Sequence, residues 1–338
     1  MNKRLAFKSA LAITGILILI FDSKTAVAAA HEAVQVCLYT VLPSLFPFIT
    51  LSVLLNNYLL GRKISILRPL CRLCGIPKGG ESLLVLGLIG GYPIGAQAAA
   101  DARRNGSISE NTYKRLLGFC NNAGPSFIFG LVAAQFTRPV LAWIIWCVHM
   151  ISAIITGIIL PQANADTCRI IPKNEVTLAQ AMTVAIKVIS KICGWVILFR
   201  VLIAYISGLI PERYAAQNLF GFLELTNGCI NLSKISSEGH RFITAICFLN
   251  FGGLCVGMQT ISVCEGLGTG MYFPGKLIQT VIGLIISVML LPLLFATQLH
   301  ANNILLIIVA AAIFDFVIWL IKKWWQFRQK SYIMDAVH

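Results

Sequence analysis

Two stretches of this chain place turn residues and amides inside otherwise apolar runs, and the arrangement occurs twice in matching order. The first pair is GGYPIGA (Gly90 to Ala96) followed by FCNNAGPSFIFG (Phe119 to Gly130). The second is GFLELTNGC (Gly221 to Cys229) followed by FLNFGGLCVGMQ (Phe248 to Gln259). Non-helical backbone at membrane depth is tolerated only where protein buries it or a cavity borders it. Interrupted apolar segments in corresponding positions of two halves point to the binding site of a membrane carrier.

The surrounding chain demands a membrane. Hydrophobic residues make up 57% of it and charged residues only 12%, about half the charged share of a soluble domain. The net charge of +14 does not imply nucleic acid, because the basic residues sit in short loops between apolar runs, as the positive-inside rule requires. Cys71 and Cys74 form a lone CxxC with no second pair nearby, so the pattern is read as reduced thiols and no metal is expected.

The fold class that follows is an all-α polytopic membrane protein with about eight transmembrane helices and two opposed re-entrant hairpins in an inverted repeat. Both termini are placed in the cytoplasm. Residues 1–35 are read as a first helix (5–21) and a small-residue interfacial segment. Ala26 to Ala30 also imitates a signal-peptidase site. Residues 36–160 form the first repeat: helix two over 36–60, a cytoplasmic hairpin over 82–100, helix three over 115–136 and helix four over 139–160. Residues 161–191 are a cytoplasmic linker. The second repeat, 192–276, holds helix five over 192–210, an outer hairpin over 216–232 broken at Thr226-Asn227-Gly228, and helix six over 242–263. Residues 277–338 carry helices seven (277–296) and eight (303–321) and a basic tail. Most of the 27 Lys and Arg then fall on the cytoplasmic side.

The breaks define the candidate substrate site. Gly90, Gly91, Tyr92 and Pro93 form the first tip, beside a break at Asn121, Asn122, Gly124, Pro125 and Ser126. Thr226, Asn227 and Gly228, with Asn250, Gly252, Gly253 and Gln259, repeat this in the second half. Half-helix N-termini there favour anions, while free carbonyls and amides suit a ring nitrogen, a hydroxyl or a cation. The bland reading of the same residues is tight-packing glycines and kink prolines. Arg200 and Glu224 are charges within apolar runs, and such residues face a cavity or a partner. Arg200 suits a carboxylate; Glu224 suits a proton, a coupling cation or Arg200 itself. His149 is read as a structural hydrogen-bonding residue. Asp315 is read as a packing cap or a member of a proton path.

The motifs GGYPIGA, FCNNAGPSFIFG, GFLELTNG and FGGLCVGMQ together resemble the YlbJ-type sporulation integral membrane proteins, over about residues 41–276. Their nucleoside-recognition or gate domain is related to concentrative nucleoside transporters. The resemblance implies alternating-access transport of a small organic anion, with dipicolinate or a similar aromatic carboxylate as the family's candidate substrate. A nucleoside or nucleobase carrier and a non-transporting membrane scaffold in sporulation or envelope assembly are the other readings. The expected partners are the anionic substrate, the lipid bilayer, and further copies of the chain or sporulation membrane proteins, with no nucleic acid. No cofactor is expected. The chain holds no P-loop, HExxH or nucleophile elbow, so it is not read as an enzyme.

Overall fold

In a computed structural model, residues 3–59, 62, 64–161, 168, 176–209 and 217–295 are described. The described residues are helical throughout, with no strand. Helix α1 covers Lys3–Phe21. Asp22 then caps a new helix, its carboxylate accepting from Thr25 N. That helix, α2, runs over Ser23–Leu59 and contains a π turn at Cys37–Val41. Pro43 and Pro47 follow, which cannot donate to the helical ladder. The small-residue segment before residue 36 is therefore the start of one helical run that is long and apolar enough to cross a membrane. Its alanines Ala26, Ala29 and Ala33 are buried, since small side chains let backbones approach closely.

After the short helix α3 (Arg68–Leu73), helices α4 (Glu81–Ile89) and α5 (Ile94–Arg104) pack against each other as a hairpin. A Cβ added at Gly95 would stand 2.9 Å from Gly87 Cα. These two glycines lie symmetrically about Gly91, whose φ of 80° turns the chain where a side chain would be strained. Helix α6 (Glu110–Phe119), capped by Ser109, leads through an irregular stretch into α7 (Pro125–Gln135). Helix α8 covers Val140–Ile159.

Helix α9 covers Leu178–Leu209. It begins well before residue 192 because Thr177 and Gln180 form a reciprocal cap. Thr177 Oγ1 accepts from Gln180 N, and Gln180 Oε1 accepts from Thr177 N. This is the capping-box arrangement, so the second half of the supposed linker is helix.

The second hairpin is built from α10 (Gln217–Leu223) and α11 (Leu225–Ile230). Gly221 and Gly228 face each other across it so closely that a Cβ on Gly228 would collide with the Gly221 backbone. Helix α12 (Glu238–Phe251) ends at Gly252, where φ is 82°, and α13 (Gly253–Val263) resumes at once. Helix α14 covers Tyr272–Leu294 and packs against α6, α8 and α12.

Among the described residues, five runs are long and apolar enough to cross a membrane: Ser23–Leu59, Val140–Ile159, Leu178–Gly208, Glu238–Val263 and Tyr272–Leu294. Large apolar side chains such as Trp143, Ile151, Leu198 and Leu293 point outward, while Asn121, Asn122, His149, Asn250, Lys276 and Gln279 are buried. Apolar outside and amide inside is the pattern of a chain whose solvent is lipid. The expected eighth helix, Asp315 and the basic tail lie outside the described residues.

Candidate functional site

Both hairpin tips, the first helix break and the helix that follows the second break meet at one small cavity. Gly90, Gly91 and Tyr92 supply it from the first tip, and Gly124, Ser126 and Phe127 from the first break. Glu224, Leu225 and Thr226 supply it from the second tip, and Val256 and Gln259 from the second broken helix. Val41, Leu45, Phe48 and Ile49 of α2 and Ile192 of α9 close the apolar side. The cavity measures about 40 Å³. That admits a few waters and falls far below the roughly 300 Å³ of small-molecule pockets.

The tips are pinned by backbone contacts. Tyr92 OH donates to Leu249 O at 2.9 Å, one residue before Asn250 of the second break. Gly91 packs on Gly124, and Gly253 packs on the backbone of Leu225 and Gly221. Each tip therefore rests on a helix break, and the first tip reaches the second half of the chain through Tyr92.

Glu224 caps its own hairpin. Its carboxylate accepts from Thr226 N at 2.9 Å and from Asn227 N and Nδ2, both at 2.7 Å. Those bonds make Leu225–Ile230 a helix and place the break at Glu224, two residues earlier than expected. Thr226, Asn227 and Gly228 lie inside α11. The N-terminus expected to hold an anion is here filled by the chain's own carboxylate.

Arg200 is not part of this site. It pairs with Glu32 of α2, NH2 to Oε2, at 2.5 Å, on an exposed flank. The expected pairing with Glu224 does not form. Arg200 faces outward from α9 because its register puts Ile192, Val196, Phe199 and Ile203 on the buried side.

A polar network lies behind the cavity, and the sequence reading found only part of it. Asn121 Nδ2 donates to Thr260 Oγ1 at 2.9 Å, and Asn121 Oδ1 accepts from Ala96 N at 3.3 Å. Asn122 Nδ2 donates to Gly87 O and Phe119 O. Asn122 Oδ1 accepts from Lys276 Nζ at 3.2 Å and from Gln279 Nε2 at 2.9 Å. Lys276 Nζ also donates to Gln279 Oε1 at 2.9 Å and stands 5.2 Å from the Tyr92 ring centre.

Gln279 Nε2 reaches on to Asn250 Oδ1 at 3.2 Å. His149 completes the link: Ala123 N donates to its Nε2 at 3.1 Å, and its Nδ1 lies 2.6 Å from Asn250 Oδ1. With Nε2 accepting, the proton sits on Nδ1 and donates to Asn250. Asn122 in the first break and Asn250 in the second are thus joined through one lysine, one glutamine and one histidine.

Lys276 and Gln279 were missed because they stand in an apolar run outside the broken segments. The signal was the i, i+3 pair of long polar side chains in Gly275 to Ile285, which puts both on one helix face. Of the remaining expected residues, Pro93 lies on a second, larger cavity. Pro125 opens α7 at its first turn, and Gly252 forms the left-handed break.

No family model matches the chain, and no solved structure matches it. Among curated proteins it is similar to the sporulation integral membrane protein YlbJ of Bacillus subtilis (strain 168), at 39% identity over 101 residues. That match covers 28% of this chain and 24% of the relative, so it spans about a quarter of the relative's length. Composition, the five apolar runs and this similarity together make the protein a multi-pass helical membrane protein.

Proposed function

We propose that this protein is a membrane carrier that moves a small organic anion by alternating access, with dipicolinate or a similar aromatic carboxylate as first candidate. The observation that carries the reading is the meeting of two hairpin tips, the first helix break and the helix after the second break at one small cavity. In this reading the hairpins are re-entrant from opposite sides, the two halves are an inverted repeat, and both termini are cytoplasmic. The anion class is supported by Lys276. It is a fully buried amine with amide partners and, among the described residues, no carboxylate at ion-pair distance. An intramembrane ionisable residue of this kind is a functional-site candidate. The similarity to a sporulation membrane protein supports a place in spore formation.

A nucleoside carrier is the second reading, favoured by Glu224 and Gln259 at the cavity, since carboxylate and amide oxygens accept from sugar hydroxyls. Liposomes holding the purified protein test both. Uptake of labelled dipicolinate that unlabelled dipicolinate competes and uridine does not supports the anion reading. Uptake of uridine alone replaces it with the nucleoside reading. Uptake of neither, by folded protein in sealed vesicles, removes both.

A further inference from the structure

The two halves hold each other at both ends of the molecule, and they do so in matching ways. Ser109 and Ser237 each cap the helix that follows a hairpin, accepting from Thr112 N at 3.2 Å and from His240 N at 3.4 Å. Glu110 and Glu238 come next, as the first residues of α6 and α12. Three residues on, Tyr113 and Arg241 occupy the same register, and each crosses to the other half. Tyr113 OH donates to Gly268 O at 2.7 Å, a few residues beyond α13. Arg241 NH1 donates at 2.5 Å to the carbonyl of Gln135, the last residue of α7. Helices α7 and α13 are themselves counterparts, since each follows the break of its own half.

Two arginines repeat the exchange. Arg104, in the last turn of the first hairpin, pairs with Asp101 at 3.4 Å. Its NH2 also donates to Val263 O at 2.9 Å and to Glu265 O at 3.0 Å, at the C-terminal end of α13. Arg241 does the same for α7 and also holds Ile235 O beside its own helix. A cation at a helix C-terminus meets unpaired carbonyls and the negative end of the helix dipole. Beside Arg241, Glu238 accepts from Thr137 Oγ1 at 2.8 Å and from Arg138 Nε at 3.0 Å, so that end carries further bonds between the halves. The run Glu238–Val263 reaches from one arginine contact to the other, which places the two at opposite ends.

Each contact joins helices that border the central cavity. Arg104 ties α5 to α13. A larger cavity of about 400 Å³ lies against both helices and shares Gln259 and Ile192 with the small one, so parting α5 from α13 joins the two spaces. Arg241 ties α12 to α7, which lines the small cavity through Ser126 and Phe127, so parting these opens it toward the opposite end. Neither arginine lines the cavity. We propose that Arg104 and Arg241 are paired clasps: releasing one opens the cavity at its own end while the other stays made. They are positioning residues, and the proposal rests on the carrier reading.

Two native cysteines report on the two ends. Cys264 follows Val263 at the Arg104 end, and Cys229 of α11 packs with Phe242 and Ala245 at the Arg241 end. Both are buried. The purified full-length protein in detergent is reacted with a water-soluble maleimide, and the rate at each cysteine is read by peptide mass spectrometry. Arg241→Gln is expected to speed Cys229 about tenfold, the weight of one hydrogen bond from a charged donor, and to slow Cys264. Arg104→Gln should do the reverse. In the combined variant each cysteine should react more slowly than in its own single variant, because the two open forms draw on one population. Arg104→Lys and Arg241→Lys keep a cation at the carbonyls and should stay within about twofold of the parent. If the glutamine variants do not fold, Tyr113→Phe and Glu238→Gln weaken the same two ends and must move the rates in the same two directions. Faster reaction of both cysteines in a single variant, or of the near one alone, is plain loosening and would overturn the proposal. Liposome uptake separates it from the carrier reading. Uptake without opposed labelling overturns the clasps alone, while opposed labelling without uptake supports the clasps and removes carriage of the tested anion.

Discussion

Lys276 Nζ lies 3.2 Å from Asn122 Oδ1 and is held on its other side by Gln279 Oε1. A buried lysine amine is thus held by neutral oxygens, one of them on the first broken segment. Burying a charge without a counter-charge costs several kcal/mol, and isosteric apolar replacement of buried charges is often neutral or stabilising. Lys276→Met is therefore expected to leave the melting temperature unchanged or raise it, while anion uptake falls by more than about tenfold. Thermal melts beside liposome uptake check this. A variant that melts much lower and still transports would make Lys276 a structural residue.

The hairpins rely on glycine at their closest approach. Gly228→Ala would drive its Cβ into the Gly221 backbone, which cannot retreat as a side chain can. Overpacking of this kind costs about 1–3 kcal/mol. At Gly194 in α9 nothing lies within 4 Å of an added Cβ, so Gly194→Ala is expected to be neutral or stabilising by up to about 1 kcal/mol. Paired melting curves in one detergent read the contrast directly.

Glu224 caps the second hairpin with three bonds. Glu224→Ala leaves those N–H groups unpaired beside the cavity, at about 1–3 kcal/mol for a buried unsatisfied group. Glu224→Gln keeps one accepting oxygen and should lose less. A cysteine placed at Thr226 is expected to react faster with a water-soluble maleimide in the alanine variant than in the glutamine variant. Equal rates would mean the cap does not hold the tip.

Arg200 pairs with Glu32 on a flank away from the cavity wall. Arg200→Ala should leave uptake within about twofold of the parent. A loss of uptake comparable with that of Lys276→Met would return Arg200 to the substrate path.

The two broken regions were legible in the sequence because glycine, proline and paired asparagines inside apolar runs have few other uses. Asn122, Gly91 and Gly252 stand where their motifs placed them. The start of α9 was legible too, in Thr177 and Gln180, but the basic residues after it drew the segment into a loop. Glu224 stood out as a charge in an apolar run, yet the second tip was expected at Thr226 to Gly228, since such a carboxylate suits an ion pair as well as a cap.

What the sequence determined by itself was the class of the protein and the position of its backbone breaks, because hydropathy and backbone freedom are local properties. Which basic side chain lies in the central polar network was decided by the tertiary structure. Arg200 and Lys276 each stand in an apolar helix, and the pattern around each is much alike. Helix packing turned Arg200 to Glu32 on the flank and Lys276 to Asn122 at the centre. A side chain's partner depends on the rotation of its helix against distant neighbours, and no short stretch of sequence carries that information.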